Sequence, residues 1–257
     1  ISPYLIEGGP LAVFPRENMW HRSTNMTKGS SPIDAGHLML TRQERDQLIA
    51  DEPGAEKWIK PLVGSDEFIN AKERYCLWLV GAAMEDIKAM PHVFRRVDCV
   101  RQFRLKSPRS GTFKCADQPQ LFTELRQPTE GNYILIPRVS SERRDYIPIG
   151  FMSKEVISND RNSIIPNGTI YDFAMVTSRM HNDWMRAVCC RMKSDYSYSG
   201  QLVYNTFPWP AVTPYQRATI EKLAMSVLHA REEHPGKSLA WMYDPDTMPA
   251  NLRVAHE

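Results

Sequence analysis

Apolar positions along this chain change rhythm several times, and each change predicts an element. Val93, Val97 and Val100 recur at the helical period, and Pro91 suits a first helical turn, so a helix is expected from there. Thr41 and Glu44 form a capping box that predicts a short helix to about Ala50, ended by Glu52-Pro53. A further helical turn is expected over residues 55–59 and a brief helix over 85–90. Residues 74–80 have the aromatic and branched content of a strand. Residues 133–139 and 145–151 read as two strands joined by a hairpin at 140–144, with Pro137 and Pro148 placing them at edges or bulges. Residues 163–176 predict two more strands around the turn signal Asn167-Gly168. Thr177-Ser178 is expected to cap a helix whose apolar stripe is Met180, Trp184, Met185 and Val188. The first thirty-five residues have broken periodicity and read as an irregular lead-in with one short strand.

After Trp209-Pro210 the pattern becomes helical throughout. Thr213 and Gln216 cap a helix with Pro214 at its first position. Ile220, Leu223, Ala224, Val227 and Leu228 follow at helical spacing, and Pro235-Gly236 stops it. Short helices then alternate with Asp244-Pro245 and Met248-Pro249. The expected architecture is α+β: a domain over residues 1–210 with a mixed or antiparallel sheet and flanking helices, followed by a small all-helical extension over 211–257.

Composition narrows the function classes. The 257 residues are 42% apolar, enough for a core, yet no run approaches the roughly 18 apolar residues of a membrane span. No charged-then-apolar signal segment opens the chain. It begins on Ile1, and its first residues read as the interior of a longer polypeptide, so an excised fragment is expected. Five cysteines without a Cys-x-x-Cys pair make a disulfide framework or a zinc site unexpected and fit a reducing, cytoplasmic location. Adjacent Cys189 and Cys190 are expected to be buried structural thiols.

Net charge is only +2, but its distribution is uneven. Arg95, Arg96, Arg101, Arg104, Lys106, Arg109 and Lys114 are opposed within their stretch only by Asp98. This basic patch is either a solvated helix face and loop or a set of phosphate contacts.

Catalytic signatures are missing from the sequence. There is no Gly-x-Gly-x-x-Gly, Walker lysine loop or Gly-x-Ser-x-Gly elbow, and the seven histidines show no metal spacing. His181 and Cys189 would lie about two helical turns apart, too far for a nucleophile–base pair. Neither an Asn/Asp-Pro-Pro-Tyr/Phe segment nor a glycine-rich strand end for S-adenosylmethionine is present. The chain is expected to hold no cofactor or metal and to have no catalytic residues of its own.

Lys193 and Asp195 suggest recognition instead. On an extended segment side chains at i and i+2 share a side. A Lys beside an Asp there could serve a G·C pair, the ammonium donating to G O6/N7 and the carboxylate accepting from C N4. The alternative is a neutralising surface ion pair. Arg143 and Arg144 could reach phosphate or guanine from a hairpin tip with Glu142 orienting one of them, or the turn is stabilised by a Glu–Arg pair. Phe207, Pro208, Trp209 and Pro210 are expected to pack at the domain junction.

The stretch from Arg191 to Pro210 resembles the end of the target-recognition domain of MmeI-like DNA methyltransferases, single-chain restriction–modification enzymes that modify adenine N6. Their pattern reads roughly Gly-Arg-Leu-(Lys/Glu)-Ser-(Asp/Arg)-Tyr-Xaa-Tyr-Ser, then Asn-Xaa-Phe-Pro-Trp-Pro. Residues 3–6, 64–70, 74–79 and 136–151 match other blocks of that family in the same order. The resemblance implies that Lys193, Asp195 and Ser197 occupy positions the family varies to change its target, Lys-x-Asp alternating with Glu-x-Arg. It further implies that the chain grips double-stranded DNA for an upstream methyltransferase domain of the same polypeptide, which would flip an adenine and use S-adenosylmethionine. The alternative from another class is a scaffold whose basic patch binds RNA or an acidic protein.

Overall fold

The computed structural model describes residues 12–19 and 24–257, so the block at residues 3–6 lies outside the described residues. The fold is α+β, as expected, and its apolar side chains gather into two large clusters and a smaller one between them.

Strand β1 (Thr27–Lys28) belongs to the main sheet of the second lobe, and the first lobe begins with β2 (Met39–Leu40) and α1 (Arg42–Asp51). Thr41 caps α1 as its spacing predicts: its Oγ1 accepts from Glu44 N at 3.2 Å while the Glu44 carboxylate accepts from Thr41 N at 2.8 Å. A 3₁₀ turn over Pro53–Trp58 leads into β3 (Ile59–Val63), followed by α2 (Ser65–Asn70), β4 (Tyr75–Leu77) and α3 (Met84–Lys88). Strands β2, β4 and β3 pair antiparallel. Helix α4 (Pro91–Leu105) lies over them, and α5 (Ser110–Lys114) follows it. Two main-chain N–H groups at the start of α4, those of His92 and Val93, donate to the Glu52 carboxylate at 2.6 and 3.2 Å. That places a negative charge on the positive end of the helix. Val93, Val97 and Val100 are all buried, so the expected stripe is the helix's packing face.

The second lobe is built on β5 (Asn132–Pro137), β6 (Val139–Ser140), β7 (Gly150–Ser153), β8 (Ile157–Ser158) and β9 (Asn162–Pro166). The main sheet runs β1-β9-β5-β7 with antiparallel neighbours, while β8 joins β3 in parallel and ties the lobes together. Strand β5 is central, not an edge, which corrects the reading from its prolines: Pro137 closes the strand at its last pair, with Asn162. Both faces of β5 are covered. Tyr133 and Leu135 meet Val63 and Ile164, whereas Ile134 and Ile136 join the large C-terminal cluster, which accounts for an apolar run without alternation. The residues before β7 differ from expectation too. Residues 145–149 are not a strand but a connection in which Tyr146 and Ile147 are buried.

Residues 169–176 are the largest departure. They form helix α6 (Ile170–Thr177) instead of a second strand after Asn167-Gly168. Thr169 Oγ1 accepts from Asp172 N at 3.2 Å and Asp172 returns the bond to Thr169 N at 2.8 Å. This capping box and burial against the sheet override the β preference of Ile, Tyr, Phe and Val. Helix α7 (Arg179–Val188) follows, then β10 (Cys190–Met192) and β11 (Asp195–Ser197). Met180 is 52% exposed and leaves the predicted stripe of α7; buried His181 takes its place beside Met185 and Val188.

Helix α8 (Pro214–Glu232) opens on the predicted Thr213–Gln216 box, and α9 (Leu239–Met242) and α10 (Ala250–His256) complete the chain. Ala224, Val227 and Ala230 are the buried face of α8; Leu223 is 60% exposed. Together with Met242, Tyr243 and Leu252 they enter the same apolar cluster as Ile134 and Phe173. Phe207 and Trp209 pack edge-to-face in that cluster, with ring centroids 5.8 Å apart, as expected for a packing corner.

Candidate nucleic-acid interface

Helix α7 supplies a rigid base for the segment that follows it. The Ser178 hydroxyl caps the helix by accepting from His181 N at 3.1 Å. Asn182 bridges three main-chain groups: its Nδ2 donates to Thr177 O and Ser178 O, and its Oδ1 accepts from Ile147 N at 2.9 Å. Trp184 Nε1 donates to Val203 O at 3.1 Å.

From this base the chain forms a two-stranded ribbon. In β10 and β11, Cys190 faces Ser197, Arg191 faces Tyr196 and Met192 faces Asp195. Direct cross-strand partners share a face, so Cys190, Met192, Asp195 and Ser197 lie on one side and Arg191 and Tyr196 on the other. The inner side is sealed: Tyr196 is buried with the Arg191 guanidinium 4.1 Å from its ring centroid. Tyr198, the next inward residue, shares a 2.9 Å hydrogen bond with His181 Nε2. Burial pushes the His181 pKa down to about 3, so this imidazole is neutral. Strand β11 also pairs with β6, Tyr196 facing Ser140 and Ser197 facing Val139, and Tyr198 N donates to Arg138 O at 2.8 Å.

Lys193 and Asp195 therefore do not sit on one extended strand, which corrects the geometric premise drawn from their spacing. Lys193 and Ser194 are the two loop residues of the ribbon's turn. Lys193 has φ +58°, the left-handed region that such a tight turn requires. Its ammonium is carried at the tip, while Asp195 and Ser197 project from the outward face one and three residues beyond the turn. No ion pair joins Lys193 to Asp195 among the described residues. Cys190 is exposed on this face and only Cys189 is buried, which corrects half of the expectation for that pair.

The outward face borders a cleft of about 860 Å³ between the two lobes. Met192 and Ser197 line one wall with Arg138, Asp160 and Arg161; Ile33, Arg74 and Phe103 contribute to the other. Arg138 N donates to Arg161 O at 3.1 Å, its Nη1 donates to Asp160 O at 3.1 Å, and the Asp160 carboxylate accepts from Ser31 Oγ at 3.0 Å. Arg138, Asp160 and Arg161 were not singled out from the sequence, although Arg138 lies inside the quoted block 136–151. The missed signal was an arginine placed directly after a buried strand, where the chain emerges at the surface.

Arg143 and Arg144 are not at a hairpin tip. Arg143 Nη2 lies 2.6 Å from Asp246 Oδ2 and 3.9 Å from Asp244 Oδ1, so its charge is met by the C-terminal segment rather than by Glu142. Arg144 is half-buried, with its Nη1 3.5 Å from Ser140 Oγ and its Nε unpartnered. Burial lowers the Arg144 pKa, with Asp244 and Asp195 opposing that shift.

The basic patch divides in two. Arg95, Arg101, Lys106, Arg109 and Lys114 are exposed on α4, α5 and the loop between them. Arg96 is half-buried and committed to Glu44 at 2.9 Å and to the His37 and Met39 carbonyls. The Glu44 carboxyl is lowered to about 2, chiefly by the Thr41 main-chain N–H and then by Arg96. Arg104 is fully buried, donating to the carbonyls of Pro32, Ile33, Cys115, Gln118 and Leu121 at 2.8–3.1 Å. It cannot touch phosphate, and its expected role there is withdrawn.

Among the described residues, no group of His, Cys, Asp and Glu could hold a metal, and no helix is long and apolar enough to cross a membrane. Residues 7–211 match the family described as "MmeI, target recognition domain", and residues 212–257 match "MmeI, C-terminal domain". DNA methyltransferase A of Bacillus subtilis (strain 168) is 40% identical over 258 residues, covering 100% of this chain and 29% of that protein. A solved structure of the type IIL restriction-modification enzyme MmeI in complex with DNA superposes with a TM-score of 0.97 at 43% identity. That match covers 100% of this chain and 34% of the MmeI chain, so the present sequence spans about a third of the proteins it resembles.

Proposed function

This chain belongs to the MmeI family, matching its target-recognition and C-terminal domains, and on that footing we propose that it grips duplex DNA and reads base edges in the major groove. The ribbon β10–β11 carries this reading. A two-stranded β-ribbon fits the major groove, and here its outward face presents a carboxylate and a hydroxyl with an ammonium at its tip. Lys193 would donate to guanine while Asp195 accepts from the paired cytosine, and Ser197 would contact a neighbouring pair. Arg138, Asp160 and Arg161 extend the same wall with both donors and acceptors.

Phosphate contacts position a protein and base contacts specify its site. The exposed Arg95, Arg101, Lys106, Arg109 and Lys114 suit the first task. Arg143 and Arg144 are assigned neither task, the one being neutralised by Asp246 and the other half-buried against Ser140.

Methyl transfer to adenine N6 would belong to the longer polypeptide, in the cytoplasm where DNA is accessible. S-adenosylmethionine supplies the methyl group when bound there; none of the residues here matches the motifs that would hold it. The family match leaves the scaffold alternative without support. The test is to express the full-length protein in a bacterial host lacking adenine methylation and read the genome for modified adenine. One asymmetric motif containing N6-methyladenine is expected; soluble full-length protein with no modified motif would overturn the proposal.

A further inference from the structure

Met192 is the one apolar side chain larger than cysteine on the ribbon's outward face, and it is 56% exposed. It joins none of the three apolar clusters. Its neighbours on the ribbon are polar, Asp195 being its direct cross-strand partner and Lys193 its chain neighbour, while the cleft it lines also carries Ile33, Phe103 and Val139. An unbranched thioether left in water at this point gives the fold nothing, since Arg191 and Tyr196 already seal the inner side.

Resting on the base-reading role proposed above, we infer that Met192 is a specificity-determining residue that covers the C5 methyl of a thymine. That methyl is the apolar feature of base edges in the major groove, where every base also presents hydrogen-bonding groups and thymine alone adds a methyl. Against a G·C pair Met192 would meet no methyl, so a thymine gains a buried apolar contact that the alternatives do not offer. Direct cross-strand partners have Cβ atoms about 4.5–5.5 Å apart. Successive bases rise about 3.4 Å along each strand. The thymine therefore belongs to the base pair adjacent to the one read by Lys193 and Asp195. Methionine's flexible, polarisable chain lets it follow the methyl without a preformed pocket.

The experiment uses the purified full-length enzyme and duplexes carrying its methylation motif. Each thymine in or beside the motif is replaced singly by deoxyuridine, which lacks only the methyl group. At one position next to the Lys193–Asp195 base pair, kcat/KM of the native enzyme should fall about four-fold, the value of one buried methyl. The Met192→Ala enzyme should show that lower rate with either base, and its sensitivity at other thymines should be unchanged. The inference is overturned if no thymine adjoins that base pair, if no deoxyuridine slows the native enzyme, or if Met192→Ala keeps the same sensitivity. A motif that fails to respond to exchange of Lys193 and Asp195 overturns base reading by the ribbon as a whole. A motif that does respond, without any deoxyuridine effect, removes only the role of Met192.

Discussion

Arg101 and Arg104 stand three residues apart on α4 and have opposite fates. Positions 93, 97, 100 and 104 fall on one helical stripe, so the burial of Arg104 was legible in the spacing that located the valines. Its charge drew the reading outward. What spacing could not show was the ring of five carbonyls that makes burial tolerable. Arg104→Ala should cost at least about 3 kcal/mol in urea unfolding, because charged donors are lost and buried acceptors left unpaired. Arg101→Ala with Arg109→Ala should leave stability within about 0.5 kcal/mol. The same pair should flatten the slope of log affinity against log salt by about 0.9 per phosphate contact removed. An unchanged slope would take α4 and α5 out of the interface.

Two buried histidines set the acid limit. His181 and His256 are both pushed down to about 3 by burial, His256 being further opposed by Arg231. Between about pH 6.5 and 3 the unfolded chain binds these protons and the folded chain does not, so stability is lost as pH falls through that window. Each contributes a loss of about 2 kcal/mol at pH 5 relative to neutral pH. Urea midpoints at pH 5 and 7.5 check this; equal midpoints would show that neither ring is held neutral in the fold.

At the scale of elements, the helices with capping boxes at Thr41 and Thr213 were legible because the cap and the apolar period agree. Helix α6 was not read, since its β-branched and aromatic residues outweighed an equally good box at Thr169 and Asp172. The ribbon was found as a motif but misread as a single extended strand, because nothing in the residue types announces a left-handed lysine. That geometry separates backbone from chemistry. Lys193→Gly should keep stability within about 1 kcal/mol, since glycine adopts positive φ freely. It should nevertheless lose discrimination at one base pair, measured by competition between duplexes differing at each position. Equal discrimination in the variant would assign the ammonium to phosphate instead.

Across the whole molecule the C-terminal helices behave as part of the recognition unit's core. Tyr146 stacks on His256 at 4.1 Å, Arg231 donates to Ile149 O at 2.6 Å, and Arg143 is held by Asp246. All three contacts bear on residues 143–149, the chain between β6 and β7, and β6 is the strand that pairs with β11. The change of pattern near residue 211 was legible, but the shared core was not, because long-range packing leaves no local period. Ending the chain at residue 210 should therefore abolish cooperative unfolding and expose dye-binding apolar surface. A sharp thermal transition in that fragment would show two independent units.

In the function proposed above, ribbon β10–β11 reads a base pair through Lys193 and Asp195. The most direct test of that reading maps adenine methylation in a host expressing the full-length protein carrying Lys193→Glu with Asp195→Arg, beside the native protein. Two motifs identical at every position but one are expected, with guanine and cytosine exchanging strands at that position because donor and acceptor have traded places. An unchanged motif, or equal loss of methylation at all sites by a folded variant, would contradict it.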